Sequence, residues 1–116
     1  GAPRSVPYFA VMYRRGGSVY MTSNRTNSVV YIGVTSELVV RIQQHKDRDH
    51  PKSFTARYNI DKLVWFEHFA TIEEAIACEK QLKAGGRERK NAIITALNPE
   101  WRDLYPDVLR AAETGE

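Results

Sequence analysis

Ser18-Val19-Tyr20-Met21-Thr22 alternates between polar and apolar positions with a period of two, and Val29 to Thr35 is rich in β-branched and aromatic residues. Both patterns predict β-strands. Between them lies Ser23-Asn24-Arg25-Thr26-Asn27-Ser28, a run of turn formers, so the two strands are expected to pair as an antiparallel hairpin. Val19 and Met21 share one face of it with Val30, Ile32 and Val34. The opposite face carries Ser18, Tyr20 and Thr22 with Val29, Tyr31, Gly33 and Thr35. The small neighbours there are expected to leave both phenol groups accessible.

Ser36 is placed to cap a short helix over residues 37–46, with Glu37 in its first turn and Leu38, Val39 and Ile42 as its apolar stripe. Arg41 and His45 stand four apart, on one face at the margin of that stripe. Residues 46–58 are polar and basic, and His50-Pro51 breaks any helix, which predicts a surface loop. Lys62 to Phe69 is a third strand, apolar on both faces, and is therefore expected in a central position with cover on both sides. Thr71-Ile72-Glu73-Glu74 forms a capping box, opening a helix that runs to about Lys83 and stops at Ala84-Gly85-Gly86. A last helix, from about Arg87 to Leu97, ends at Asn98-Pro99. The order β-β-α-β-α-α predicts a small α/β domain of the α+β kind, a three-stranded antiparallel sheet flanked by helices, over residues 17–105. The chain starts at Gly1 rather than at a methionine, so residues 1–16 read as an extension, tag-derived in part, or as an edge strand over Tyr8 to Tyr13. Residues 106–116 read as an acidic tail.

Charge sharpens this picture. Residues 1–99 hold 15 Lys and Arg against 9 Asp and Glu, whereas residues 100–116 hold 2 against 5. A basic body suits a polyanion, because counterions released from it drive association; the same excess also serves solubility. At 116 residues there is room for one small domain. No apolar run approaches the length of a membrane-spanning helix and no signal-peptide core is evident. The single cysteine, Cys78, excludes an internal disulfide and a Cys-based zinc site, which fits a reducing, cytoplasmic setting.

Three groups of residues invite chemistry. Glu79 falls in the middle of the apolar stripe Ile72, Ala75, Ile76 and Leu82. A carboxylate there should be shielded and in need of a partner: a cation, a hydrogen-bond network or a metal ion, a buried ion pair with an arginine being the purely structural reading. Arg41 and His45 are either a solvated helix flank or a phosphate site, since a guanidinium fork matches phosphate oxygens and an imidazole moves protons near neutral pH. Tyr20 and Tyr31 share a hairpin face. Other signatures are missing: Gly16-Gly17 and Gly85-Gly86 lack phosphate-loop spacing, His45, His50 and His68 lack zinc-protease spacing, and there is no Gly-x-Ser-x-Gly elbow or haem or nucleotide-cofactor motif.

Together, Ser18-Val19-Tyr20 and Tyr31-Ile32-Gly33 resemble the two-part signature of the GIY-YIG nuclease superfamily. The run Tyr31 to Ser36 with Leu38, Arg41, Ile42 and His45 is similar to its small stand-alone bacterial branch. So are Glu79-Lys80-Gln81-Leu82-Lys83 with Gly85-Gly86, Arg87 and Lys90, and Asn98-Pro99-Glu100-Trp101-Arg102-Asp103-Leu104-Tyr105. The resemblance covers about residues 17–105. It implies a Mg²⁺- or Mn²⁺-dependent endonuclease that hydrolyses DNA phosphodiester bonds. Its catalytic residues would be Tyr20, Tyr31, Arg41, His45 and Glu79, with Glu79 holding the metal. Tyr20 would activate the attacking water, with His45 as general base or proton relay, and Arg41 would stabilise charge on the phosphorus. The family asparagine near the C-terminal end corresponds to Asn98 or Asn91, and Val34 stands where many members carry lysine. With no separate recognition domain in view, contacts are expected from Lys46, Arg57, Lys80, Lys83, Arg87 and Lys90. Phe54 or Tyr58 would stack on unpaired bases. That favours single-stranded or branched DNA and a role of the repair or recombination type. The alternative is a catalytically silent nucleic-acid-binding module of the same fold.

Overall fold

The computed structural model describes residues 16–114; the expected edge strand over residues 8–13 lies outside them. Strands β1 (Gly17–Ser23), β2 (Val30–Thr35) and β3 (Lys62–Phe69) form one antiparallel sheet in the order β2-β1-β3. The helices are α1 (Leu38–Asp47), α2 (Phe54–Arg57), α3 (Ile72–Ala84), α4 (Arg87–Leu97) and α5 (Tyr105–Thr114). The hairpin is the expected one, with Tyr20 opposite Gly33 and Thr22 opposite Tyr31, so residues of one parity share a face. No described helix is long and apolar enough to cross a membrane.

Each sheet face has its own core. Val19, Met21, Ile32, Val64 and Trp65 pack against Ala75 and Leu82 of α3 and Ile94 of α4. Tyr20 and Leu63 pack on the other face against Leu38 and Ile42 of α1 and Tyr105 and Val108 of α5. A bulge lets both faces take an apolar residue from the start of β3: Met21 pairs with Trp65 but Thr22 with Leu63, which leaves Val64 as the extra residue.

Four sequence expectations need correction. First, β3 is an edge strand, and β1 is central and buried along its whole length. β3 is apolar on both faces because helices cover both. Among the described residues its outer edge is met by irregular chain rather than by another strand. The Leu104 N–H donates to the Leu63 carbonyl at 2.7 Å, the Leu63 N–H to Asp103 Oδ1 at 3.1 Å, and Asn98 Nδ2 to the Val64 carbonyl at 3.1 Å. These bonds satisfy backbone groups that would otherwise sit exposed on a template-like edge.

Second, Ser36 does not cap α1. The helix begins at Leu38 with Glu37 in the cap position and no side-chain cap, while Thr35 Oγ1 accepts the Glu37 N–H at 3.0 Å. Third, the predicted loop after α1 contains α2, capped by Ser53, whose Oγ accepts the Ala56 N–H at 3.2 Å. Fourth, the stretch read from its charge as an acidic tail is given no fold by that reading, and over Tyr105–Thr114 it is helical, with Val108 buried in the same cluster as Tyr20. The capping box of α3 forms as the sequence indicates, Thr71 Oγ1 accepting the Glu74 N–H at 3.2 Å.

Candidate active site

Tyr20 projects from the central strand onto the α1 face and crosses Gly33 of β2. A Cβ at position 33 would collide with the Tyr20 ring and its hydroxyl. Glycine is thus required there by close approach of the ring rather than by backbone conformation. Tyr20 is only 1% exposed, which corrects the expectation of an accessible phenol. Glycine opposite it opens room that the ring itself fills. Tyr31, one register step along, is half-buried, with its ring centroid 6.4 Å from that of Tyr20.

Helix α1 delivers Arg41 and His45 one turn apart. His45 Nε2 lies 3.0 Å from the Tyr20 hydroxyl, and its Nδ1 lies 3.0 Å from Thr55 Oγ1 of α2. The imidazole also meets Tyr20 and Tyr31 edge-on, with ring centroids 5.8 and 6.0 Å away. Burial, reinforced by the positive charge of Arg41, holds the His45 pKa below its ordinary value. Burial first, and the neighbouring Tyr31 second, push the Tyr20 phenol well above its usual range; the Arg41 guanidinium opposes that rise as a charge and as a hydrogen-bond donor. At neutral pH the pair is therefore a neutral imidazole against a protonated phenol.

Tyr31, Arg41 and His45 line an open cleft together with Gln44, Arg48, His50 and residues 53–56. Arg41 Nη1 reaches Gln44 Oε1 at 3.4 Å. Phe54 stands at the cleft wall about half exposed, its ring centroid 4.8 Å from that of the equally exposed Tyr58. Cation, imidazole, phenol and an aromatic platform thus open onto one space. A phosphate flanked by an unstacked base has the complementary chemistry.

Glu79 comes from α3 on the other side of the sheet, and its side chain is 16% exposed. Among the described residues its ion-pair partner is Lys83 of the same helix, at 3.4 Å, a cation as the sequence reading allowed, though not an arginine. The carboxylate is close enough to act electrostatically on Tyr20. Among the described residues no three His, Cys, Asp or Glu side chains gather as a ready-made metal cage. A divalent ion at Glu79 would have a single protein carboxylate and would complete its shell with water and phosphate oxygens, a donor set that suits Mg²⁺ or Mn²⁺ on a nucleic-acid substrate.

The remaining candidates are scattered. Lys46 is a tether: its ammonium donates to Asp103 Oδ2 at 2.6 Å and to the Asp61 carbonyl at 3.0 Å, and it lies over the Tyr105 ring. Arg87 donates to the carbonyls of Asn27 and Ser28, at 2.6 and 2.9 Å, and pins the β1–β2 loop. Lys90 donates to the Gly85 carbonyl at 2.5 Å. Arg57, Lys80 and Lys83 are exposed. Asn98 is buried, with Nδ2 donating to the Val64 and Arg102 carbonyls and Oδ1 accepting the Arg102 N–H at 3.2 Å. Asn91 accepts from Arg87 on the surface.

Gln44 and Thr55, which bond Arg41 and His45, are among the cleft residues that escaped the sequence reading. Gln44 carries no distinctive pattern. Thr55 lies in the stretch read as loop; the one local sign is Ser53, three residues before the amide it caps. The family model of the GIY-YIG catalytic domain matches residues 16–91, which include every one of these cleft residues. No curated protein and no solved structure matches the chain.

Proposed function

The chain belongs to the GIY-YIG catalytic-domain family, a family of nuclease-type hydrolases, and from that membership we propose that it is a divalent-metal-dependent endonuclease cleaving DNA phosphodiester bonds. The observation that carries this reading is the convergence of Tyr31, Arg41 and His45 on one cleft with the Tyr20 hydroxyl bonded behind them. A silent binding module needs the cations and the aromatic platform, but it has no use for a buried phenol aimed at a neutral imidazole.

In this reading the scissile phosphate lies against Arg41, whose planar fork meets its oxygens and stabilises the charge that builds at phosphorus. Tyr31 at the cleft wall orients the phosphate. Tyr20 and His45 handle the proton of the attacking water, the phenol passing its own proton to Nε2 as it accepts another. Glu79 would hold the Mg²⁺ or Mn²⁺, which supplies charge neutralisation on the phosphate and the leaving oxygen.

Phe54 and Tyr58 take unpaired bases, and Arg57, Lys80 and Lys83 add backbone contacts, so single-stranded or branched DNA is the favoured substrate. A repair- or recombination-type role in the cytoplasm follows from such a substrate. The test is cleavage of labelled single-stranded, branched and duplex oligonucleotides with Mg²⁺, with Mn²⁺ and with EDTA. Metal-dependent cleavage that Arg41→Ala abolishes is expected. Binding without cleavage under every metal condition would establish the silent module instead.

A further inference from the structure

The two hydrogen bonds of His45 decide which of its nitrogens can accept a proton. Both ring nitrogens are occupied, Nε2 by the Tyr20 hydroxyl and Nδ1 by Thr55 Oγ1, each at 3.0 Å. A neutral imidazole carries one N–H, so one of these contacts is donated by the ring and the other accepted. The Tyr20 hydroxyl has one proton to place, and it is buried. The Arg41 guanidinium, a neighbouring positive charge, has no lone pair to offer and cannot take that proton. His45 Nε2 is the acceptor facing the hydroxyl among the described residues.

An Nε2–H would itself donate to the phenol oxygen and strand the phenol proton without an acceptor, at the full cost of desolvating it. The phenol therefore donates to Nε2, and Nδ1 carries the ring proton. Thr55 Oγ1 then accepts from Nδ1. Its own hydroxyl proton is left to point at Ser53 Oγ, 3.3 Å away, which also accepts the Ala56 N–H at 3.2 Å as the cap of α2. Every donor along this chain finds an acceptor in one direction: Tyr20 to His45 to Thr55 to Ser53.

We propose that Thr55 is a positioning residue: the Tyr20 contact places the ring proton of His45 on Nδ1, and Thr55 Oγ1 accepts that Nδ1–H and so holds the ring with its unprotonated Nε2 aimed at the phenol. This deepens the nuclease reading and rests on it for its purpose, but not for its geometry. α2 supplies this contact. Its cap residue Ser53 and Thr55 itself both line the cleft that Arg41 and His45 share, so a turn of four residues holds the imidazole in place. During turnover the phenol proton moves onto Nε2 while Nδ1 keeps its own. The imidazolium that results is then held by acceptors on its Thr55 side and by the Tyr20 oxygen on the other.

The experiment is ¹⁵N NMR of the histidine side chains in the full chain at alkaline pH, for the wild type, Thr55→Val and Thr55→Ser, with His45→Gln assigning the signals. The wild type should show His45 as the Nδ1–H tautomer. Thr55→Val, which keeps the shape and removes the acceptor, should keep that tautomer but move the Nδ1–H resonance as its hydrogen bond is lost, and Thr55→Ser should restore the wild-type pattern. General-base catalysis by such a group is worth about 10²–10⁴ in rate, so Thr55→Val should lower single-turnover cleavage at least about tenfold with DNA affinity unchanged.

An Nε2–H signal in the wild type, or an unchanged Nδ1–H signal in Thr55→Val, overturns the proposal. If Thr55→Val is unfolded, the wild-type and Thr55→Ser spectra still decide it. A wild type that cleaves nothing yet shows the expected tautomers sinks the nuclease reading and leaves the role of Thr55 standing.

Discussion

The Tyr20 hydroxyl and His45 Nε2 lie 3.0 Å apart inside a protein that keeps the imidazole neutral, because burial and the Arg41 charge both lower its pKa. A base of this kind works only while unprotonated. Cleavage should therefore hold its rate through neutral pH and fall on the acid side, below the ordinary histidine value of about 6.5. His45→Ala should remove that limb and cost about 10²–10⁴ in rate. Single-turnover rates between pH 5 and 9 check this; a limb that survives in His45→Ala would assign it to another group.

Stability should show the same sign. His68 is buried, with Ser18 Oγ on its Nδ1 at 2.8 Å and no partner on Nε2 among the described residues, and burial lowers its pKa. The folded chain thus binds protons at His45 and His68 less readily than the unfolded chain does. The stability they contribute is complete above about pH 6.5 and falls as pH drops below it, until the folded values are reached. Urea midpoints should be flat from pH 8 to 7 and decline below 6.5. His68→Leu should remove part of the decline.

Gly33→Ala tests the close approach of Tyr20 to β2. The added methyl meets the Tyr20 ring and hydroxyl, so the ring must move or the hairpin must part. Overpacking of this kind costs about 1–3 kcal/mol. Cleavage should fall further than stability does, because the same displacement takes the hydroxyl off His45. Thermal melts and rates measured on the same sample separate the two effects.

Glu79→Ala and Asn98→Ala should fail in opposite ways. Glu79 pairs with Lys83, a side chain 55% exposed, and i,i+4 pairs of that kind contribute about 0.3–0.5 kcal/mol. Its loss should leave the melting temperature nearly unchanged while cleavage and metal dependence vanish. Asn98 holds the buried Val64 carbonyl and two groups of Arg102. Stranding such groups costs about 1–3 kcal/mol, so Asn98→Ala should melt early and cleave normally while folded.

DNA affinity should fall steeply with salt, with a log–log slope of about −0.7 per single-strand phosphate neutralised. Charge reversal at Arg57, Lys80 or Lys83 should flatten the slope without changing stability. Arg87→Ala should lower stability as well, because its guanidinium holds the Asn27 and Ser28 carbonyls. Salt titrations paired with melts distinguish the two classes.

What was legible in the sequence was the part written in local periods. The two-residue alternation placed Tyr20 and Tyr31 on one hairpin face, the spacing of four placed Arg41 beside His45, and the Thr71 box opened α3. What escaped depends on partners far along the chain. α2 has four residues, too few for a period, and Thr55 acquires its meaning only from His45, ten residues earlier. β3 reads as central because its composition reports covered faces and is silent about its edge, which Asn98, Asp103 and Leu104 close. Lys46 reads as a cation for phosphate until Asp103 is seen beside it. α5 hid behind its acidic charge, although Tyr105, Val108 and Ala111 recur at helical spacing.

That sealed edge bears on how the chain comes to be folded while it is being made. Tyr20 is synthesised early, but the wall behind it includes Leu104, Tyr105 and Val108, and β3 has no outer hydrogen-bond partners until residues 98–104 exist. On a ribosome that adds about 5–20 residues per second, the hairpin and α1 wait for residues 104–108 before the Tyr20 face can close. Until then they form a half-core beside an unsealed strand edge, and the packing around Tyr20 is completed only when that distant segment arrives.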